Sequence, residues 1–468
     1  MRFPLSTVDS SEERDDFAKT LFAETLTLQK RWQLALWLAL ALLAATSMWF
    51  YVDRILVGHQ VADAAANDRP RGNLSDLYPR WLGARELLSH RRNPYSDEVS
   101  LEIQKGYYGR ALDPARPGDP KDRQGFAYPV YVVFLLAPLT GLSFHTVQLF
   151  FYWLLIALTA ATVPLWLRAL GWRPPPIAIA IAIALTLGSV PAVQGIKLQQ
   201  LSLLVAALLA GSAACIASEF LFCGGAILAL ATIKPQLAWP TVLWLLVWAV
   251  TDWKTRRRLV FGFAAIMSAL LVAAEWVLPG WIKMFLGAVR QYHQYTQNES
   301  VLDQLVNWAM GGHGGQILGV IACVASALLL WNLRREAPGS DEFAAALAAV
   351  LTLTVLVVPM YAPYNQVLLL PAILFLAREQ FPARDHDAGP AESRSGGPLI
   401  WAAGLALAWQ WIASLGLSAL WLVSRDAALS GWKAPFYATF ALPVLIFAAA
   451  MLAARHPQSA LRAHDPTR

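Results

Sequence analysis

The stretch Trp32–Val52, WQLALWLALALLAATSMWFYV, decides the fold class of this chain. It carries no ionised side chain, and a helix needs about 20 mainly apolar residues to cross the hydrocarbon core of a bilayer. Uncharged runs of similar length recur at Thr146–Leu167, Leu198–Ala217 and Pro398–Val423. The sequence therefore predicts a membrane protein with many spanning helices.

Composition supports an all-α integral membrane protein. Hydrophobic residues make up 57% of the chain and charged residues 15%, whereas soluble domains are about 25% charged. The net charge of +6 gives no reason to expect nucleic acid as a partner. Cys215, Cys223 and Cys323 all lie in apolar segments, so their positions predict neither a disulfide framework nor a metal site.

Basic residues between the apolar runs predict the topology, because loops rich in Lys and Arg stay cytoplasmic. We expect about twelve spanning helices, or thirteen if Tyr128–Leu142 also crosses; Pro129 and Pro138 favour a re-entrant or surface helix there. The clusters predicted to be cytoplasmic are 252–258, 334–335, Arg378 and 455–468. The predicted divisions are a cytoplasmic leader 1–31, a transmembrane core 32–378 with an outer loop 53–125, a cytoplasmic loop 379–397, a helix pair 398–454 and a cytoplasmic tail 455–468.

The outer loop contains the first candidate for chemistry, Asp76 in GNLSDLYPRWLGARELLSHRRNPY, residues 72–95. Tyr78, Trp81 and Arg85 follow it at helical spacing, which predicts an interfacial helix with aromatic side chains at headgroup level. Ionisable groups beside membrane spans are costly and are functional candidates for that reason. The alternative is that Ser75 or Asp76 caps this helix.

A second candidate is Lys234, which with Pro235 separates two short apolar segments. Proline breaks a helix, so the break could admit a lipid phosphate for Lys234 to neutralise; the alternative is a lysine that only extends towards the interface. Lys197 with Gln199 or Gln200 could join the same pocket. Asn298 and Asp303 belong to a further polar cluster, where amide and aromatic side chains could recognise a sugar. No Ser-His-Asp order, phosphate-binding loop, zinc spacing or dinucleotide motif is present.

Several short motifs together resemble a known family. They are Asp76-Leu77-Tyr78, Asn93-Pro94-Tyr95, Phe126-x-Tyr128-Pro129, Gln194-Gly195 with Gln199 or Gln200, Gly225 before Lys234-Pro235, and Asn298-x-Ser300. In this order they resemble the membrane glycosyltransferases of family 87, within the GT-C superfamily of polyprenyl-phosphate-sugar-dependent mannosyl- and arabinosyltransferases. The resemblance covers roughly residues 30–378.

The resemblance implies a GT-C-like helix bundle and an inverting, metal-independent transfer of a sugar without a cofactor. The donor would be a polyprenyl-phosphate sugar, and the acceptor a lipid or cell-envelope glycan at the outer face of a bacterial inner membrane. Asp76 would be the general base and Lys234, Lys197 and Arg80 would bind the donor phosphate. The implied sugar or acceptor contacts are Tyr78, Tyr128, Gln199, Asn298, His293, Tyr364 and Asn365.

One motif departs from the family pattern. The family commonly carries a Ser-Pro-x-x-Trp-x-His-like motif before its last core helices, whereas this chain reads VPMYAPYN at 358–365. The proline is kept and the histidine is not, so His293 or His313 is the candidate to replace it. The competing interpretations are a secondary transporter or lipid flippase and a protein that binds lipid-linked sugar without catalysis.

Overall fold

The structure is a computed structural model that describes residues 32–113, 115–116, 118–296, 299–310, 314–359, 361–380 and 397–455. These residues form helices joined by turns, with no strand among them, which confirms the all-α prediction. The helices before Lys234 are α1 Trp32–Ala66, α2 Tyr78–His90, α3 Asp97–Tyr108, α4 Val132–Leu136, α5 Phe144–Ala169, α6 Pro176–Leu187, α7 Val190–Lys197, α8 Leu201–Ala217 and α9 Leu221–Ala231. They are followed by α10 Pro235–Thr251, α11 Trp253–Val277, α12 Trp281–Thr296, α13 Val301–Met310, α14 Gly314–Asn332, α15 Asp341–Val357, α16 Leu370–Gln380, α17 Gly397–Val423, α18 Arg425–Ser430 and α19 Ala441–Arg455.

Six segments are long and apolar enough to cross a membrane, and the bent pair α6–α7, with a 58° angle at its break, would make a seventh. The six are Trp32–Ala66, Phe144–Ala169, Trp253–Val277, Gly314–Arg335, Gly397–Val423 and Arg425–Ala454. Their outer faces are apolar: Trp276 and Val423 are each 86% exposed. The predicted count of about twelve spans is not confirmed, because α8, α9 and α10 are apolar but shorter than 18 residues, and length decides whether a helix can cross.

The first span differs from the prediction in its length. The sequence placed the start of the outer loop at Asp53, but the helix continues through a π-helical turn, Tyr51–Leu56, and ends only at Ala66. A helix of this length is roughly 50 Å long, more than the bilayer core requires. The segment Tyr128–Leu142, in contrast, contains only the five-residue α4 and a 3-10 turn, which are too short to span.

The helix after Asp76 is buried within the protein instead of lying freely at the interface. Trp81 of α2 is 4% exposed, and its Nε1 donates a hydrogen bond to the carbonyl oxygen of Leu139 over 3.2 Å. Arg85 is exposed, with its guanidinium 5.6 Å from the Trp81 ring centre. Trp81 therefore contacts protein and not lipid headgroups, because Leu139 and Phe144 cover the apolar face that the prediction gave to the bilayer.

Three of the predicted cytoplasmic basic clusters, 252–258, 334–335 and Arg378, lie at one end of the bundle. The predicted leader 1–31, most of the loop 379–397 and nearly all of the tail 455–468 lie outside the described residues. Arg256 in α11 donates to the carbonyl oxygens of Arg334, Arg335 and Glu336 at 2.9–3.2 Å. Arg378 pairs with Asp341 at the start of α15 over 2.6 Å. The last turn of α10 is also at this end, since Arg256 bonds the Trp248 carbonyl. The first residue of α10 follows Lys234, so Lys234 lies at the opposite end of that helix.

A close crossing of α9 and α11 depends on two glycines. A Cβ atom on Gly225 would lie 2.0 Å from the carbonyl oxygen of Leu259, and one on Gly262 would lie 2.1 Å from that of Phe222. Because backbone atoms occupy this space, no side-chain rotation can make room. The crossing therefore requires glycine at both positions.

We expect Gly225→Val to destabilise the folded protein by about 1–3 kcal/mol, the usual cost of overpacking a core. The measurement is thermal unfolding in detergent, where the variant should have a lower Tm. Gly404→Val in α17 is the matched control, because nothing lies within 4 Å of a Cβ at Gly404. Equal losses in both variants would show that helix propensity, and not the crossing, sets the cost.

Candidate active site

The candidate site is a cavity of ≈ 230 Å³ at the end of the bundle opposite the basic clusters. It lies between the outer loop, the α7–α8 turn, the α9–α10 break, one face of α12 and the segment after α15. Asp76, Arg80, Tyr128, Lys234, His293 and Tyr364 all line it. The structure therefore brings these six sequence-predicted residues together.

Asp76 is positioned by hydrogen bonds between its loop and the α7–α8 turn. Its backbone N–H donates to the carbonyl oxygen of Leu198 over 2.9 Å. The hydroxyl of Ser75 donates to Oε1 of Gln199 over 2.6 Å. The N-cap of α2 is Leu77, with no side-chain capping bond. The alternative that Ser75 or Asp76 caps this helix is therefore wrong.

The carboxylate of Asp76 faces several polar groups inside the cavity. The side chain of Gln200 donates to its Oδ2, and Tyr107 of α3 also hydrogen-bonds to it. Burial raises the pKa of Asp76 above its ordinary value, while the charges of Arg80 and Lys234 and the two hydrogen bonds act in the opposite direction. A carboxyl group with a raised pKa is a better proton acceptor once it is ionised.

Lys234 lies opposite, at the break between α9 and α10, and is 3% exposed. Its Nζ donates to Ser202 Oγ over 2.6 Å and to Gln200 Oε1 over 3.2 Å. The Nζ also lies 5.1 Å from the ring centre of Tyr364. Gln200 thus connects Asp76 to Lys234, and the break predicted from Lys234-Pro235 is confirmed.

Arg80 supplies a second cation one helical turn after Asp76. Its guanidinium carbon lies 4.2 Å from the ring centre of Tyr128, and Nη1 donates to the carbonyl oxygen of Asp76. Within the described part of the chain, its buried Nε has no hydrogen-bond partner. Leaving a buried donor unpaired is costly, and this one belongs to a side chain that lines the cavity.

Other predicted residues lie outside the cavity lining. Lys197 forms an ion pair of 2.5 Å with Asp53 in the π-helical turn of α1. Gln199 has its side chain turned to Ser75 and Gln148, and Gln200 lines the cavity instead. Assigning Lys197 to the donor phosphate and Gln199 to the sugar is not supported by these contacts.

Tyr78 and Asn365 also lie outside the cavity lining. Tyr78 packs edge-on against Phe144 with ring centres 4.8 Å apart. Asn365 accepts a hydrogen bond of 2.8 Å at its Oδ1 from Ser202, whose hydroxyl in turn accepts from Lys234. Asn365 therefore supports Lys234 from behind. The predicted Asn298 and the replacement candidate His313 lie outside the described residues.

The polar cluster around Asp303 has a local structural role. The backbone N–H of Asp303 donates to Ser300 Oγ, and Ser300 N–H donates to Asp303 Oδ2, both over 3.1 Å. These reciprocal bonds form a capping box at the start of α13. Neither residue lines the cavity described above.

Sequence reasoning missed Tyr107, Asp122, Gln124 and Tyr292. Tyr107 is buried next to Asp76, and the other three line the cavity. Asp122 stands four residues before the Phe126-x-Tyr128-Pro129 motif, and a carboxylate so close to a candidate motif is the signal that could have found it. Tyr107 and Tyr292 offer no such signal, because tyrosines in amphipathic helices are common.

Comparison with known families decides the assignment of this cavity. Residues 126–359 match the sequence profile described as glycosyltransferase family 87, which is half of the chain. The chain belongs to glycosyltransferase family 87. This family 87 protein is therefore a membrane glycosyltransferase, as its motifs predicted. The matched region contains Tyr128, Gln200, Lys234 and His293, whereas Asp76 and Arg80 precede it. No curated protein and no solved structure matches the chain.

The pH dependence of activity should depend on Tyr107. Its hydrogen bond lowers the pKa of Asp76, so Tyr107→Phe should raise that pKa. Because the ionised carboxylate is the active form of a base, activity is lost as the pH falls through this pKa. We expect the acid limb of the rate profile to move upward by about one pH unit in Tyr107→Phe.

The matched control is Tyr361→Phe, which also removes a part-buried tyrosine hydroxyl, here bonded to Thr439. Its acid limb should coincide with that of the unaltered protein. An unmoved limb in Tyr107→Phe would show that Asp76 is not the group that titrates.

Proposed function

We propose that this family 87 protein moves a mannose- or arabinose-like sugar from a polyprenyl-phosphate donor to a hydroxyl of a membrane lipid or cell-envelope glycan. The supporting observation is one cavity that contains a part-buried carboxylate, Asp76, together with two cations, Arg80 and Lys234. Transfer from a lipid phosphate needs these two functions, a base for the acceptor and positive charge for the leaving group.

In the proposed reaction, Asp76 accepts the proton of the acceptor hydroxyl. The acceptor oxygen forms a bond to the anomeric carbon as the bond from that carbon to the phosphate oxygen breaks. The electron pair of the broken bond stays on the phosphate, where Lys234 and the free Nε of Arg80 stabilise the added charge. Attack opposite the leaving phosphate inverts the configuration at the anomeric carbon, and no metal ion or cofactor is required.

The charge distribution supports one orientation of the protein in the membrane. The basic residues Arg256, Arg334 and Arg335 gather at one end of the bundle, which the positive-inside rule assigns to the cytoplasm. The cavity lies beyond the other end of α10. This arrangement supports an active site on the outer face of a bacterial inner membrane, where a lipid-linked sugar can enter from the bilayer past the apolar side chains Phe285 and Val289.

The experiment is sugar transfer by the purified protein in proteoliposomes. Polyprenyl-phosphate donors carrying radiolabelled mannose or arabinose are supplied with extracted envelope lipids, and label is measured in the lipid product and inside the vesicles. Label in a new glycolipid supports the proposal. Label that accumulates in the lumen without a new product would identify a transporter or flippase, and binding of the donor without either would identify a non-catalytic protein.

A further inference from the structure

The cavity has a second polar wall that neither the base nor the phosphate site uses. Asp122 and Gln124 line it from the segment that leads into the Phe126 motif. The hydroxyl of Tyr108 donates to the carbonyl oxygen of Asp122 over 2.7 Å. The segment is thereby anchored to α3, the helix that also carries Tyr107.

Gln124 holds the Asp122 carboxylate in one orientation. Its backbone N–H donates to Oδ1 and its Nε2 to Oδ2, both over 2.9 Å. Among the described residues, no ion pair involves Asp122, and only Gln124 donates to its carboxylate. A carboxylate oxygen accepts two hydrogen bonds, so each oxygen keeps one acceptor position for a ligand.

The chemistry of this wall selects for neutral donors. Burial raises the pKa of Asp122, and the charge of Asp76 adds to this effect, while the Gln124 N–H and Arg80 oppose it. A cationic ligand would meet Arg80 and Lys234 in the same cavity. A pair of adjacent hydroxyl groups can instead donate to both carboxylate oxygens, and the Gln124 amide oxygen offers a further acceptor.

We infer that Asp122 and Gln124 bind two adjacent hydroxyls of a carbohydrate or polyol acceptor. The inference rests on the proposed function and narrows its acceptor, a membrane lipid or cell-envelope glycan, to a molecule that carries a vicinal diol. Asp122 lines the same cavity as Asp76. Its carbonyl oxygen is bonded by Tyr108, and the preceding residue of α3, Tyr107, hydrogen-bonds to Asp76, which places Asp122 near the base. A ring held by Asp122 can therefore present a further hydroxyl to Asp76.

The first test measures transfer kinetics with octyl α-mannoside as the acceptor and the labelled polyprenyl-phosphate sugar as the donor. Asp122→Asn should raise the KM for octyl mannoside about 10- to 100-fold, the range expected for hydrogen bonds to a charged group. The KM for the donor should stay within about twofold. Asp113→Asn, an exposed residue of the same loop outside the cavity, should leave both constants unchanged.

An unchanged acceptor KM in Asp122→Asn would overturn the inference. A rise confined to the donor KM would overturn it as well, because Asp122 would then hold the donor sugar. A lower Tm for Asp122→Asn than for Asp113→Asn would attribute a general loss of activity to folding. In that case Gln124→Ala, which keeps the carboxylate and removes its partner, must reproduce the selective rise in acceptor KM for the inference to stand.

The second test does not require transfer. Saturation-transfer NMR with methyl α-mannoside and the protein in nanodiscs should give ring-proton signals for the unaltered protein and Asp113→Asn, and at most a tenth of them for Asp122→Asn. Binding through Asp122 without any transfer would overturn the proposed function and leave the carbohydrate site standing. Transfer together with equal NMR signals from Asp122→Asn and Asp113→Asn would overturn the inference and leave the proposed function standing. If the unaltered protein gave neither transfer nor NMR signals, the inference and the proposed function would both be overturned.

Discussion

Asp76→Asn should lower the rate of sugar transfer by about 10²- to 10⁴-fold, the usual contribution of a general base. Asparagine has the same shape as aspartate but cannot accept the acceptor's proton. Gln200 and Tyr107 both hydrogen-bond to the carboxylate of Asp76. Replacing the carboxylate with an amide alters these two bonds and, with them, the orientation of the acceptor hydroxyl. The measurement is the initial rate of transfer in proteoliposomes at saturating donor.

The stability of Asp76→Asn should equal or exceed that of the unaltered protein. Burial raises the pKa of Asp76 in the folded state, so the folded state binds the proton more tightly than the unfolded chain. Folding therefore loses stability as the pH rises through the unfolded and then the folded pKa, and a neutral amide avoids this loss. Thermal unfolding at neutral pH tests the sign.

Asp68→Asn is the matched control for Asp76→Asn. Asp68 is an exposed residue of the same outer loop and does not line the cavity, so its replacement should leave the transfer rate within about twofold, as for most surface changes. Substantial transfer by a correctly folded Asp76→Asn variant would exclude Asp76 as the base.

Lys234→Met is expected to lower kcat/KM for the donor by about 10²- to 10³-fold, similar to the loss of one donor from an oxyanion-binding site. Methionine keeps most of the apolar stem that lies in this buried position, but it removes the charge next to Gln200 and Ser202. The charge of Lys234 also lowers the pKa of Asp76, so the acid limb of the remaining activity should move to higher pH. Donor-dependent kinetics across pH measure both effects.

Lys197→Met distinguishes the role that the sequence predicted for Lys197 from the role that the structure indicates. The sequence assigned Lys197 to the donor phosphate together with Lys234, but the structure pairs it with Asp53 and places Trp49 5.5 Å from its Nζ. Its replacement should change kcat/KM by less than about tenfold, because a part-exposed ion pair contributes little. A loss in Lys197→Met equal to that in Lys234→Met would place the phosphate at the α7–α8 turn instead of at the α9–α10 break.

The sequence predicted those residues whose energetic cost depends only on their own side chain and its neighbours along the chain. Asp76, Arg80 and Lys234 are ionisable groups beside apolar segments, and that cost exists whatever their partners are. The proline after Lys234 likewise breaks a helix by its own geometry. The structure places the three charged residues in one cavity and confirms the helix break.

The side-chain contacts of several predicted residues could not be predicted in this way. Lys197 and Gln199 lie at the α7–α8 turn, but their side chains bond Asp53, Ser75 and Gln148. Trp81 has the helical spacing of an interfacial residue, yet it is buried and donates a hydrogen bond to the Leu139 carbonyl oxygen. An apolar side chain is removed from water equally well by lipid or by another part of the protein, so its sequence pattern does not identify its neighbours.

By itself, the sequence determined that this is a helical membrane protein of family 87, and it determined which charged groups stand at the edges of apolar segments. Only the tertiary structure decided that Asp76 meets Gln200, 124 residues away, and that Asp122 enters the same cavity. It also decided which apolar runs form helices long enough to span. The physical reason is that hydropathy and charge are properties of single residues, whereas a cavity exists only where distant segments pack.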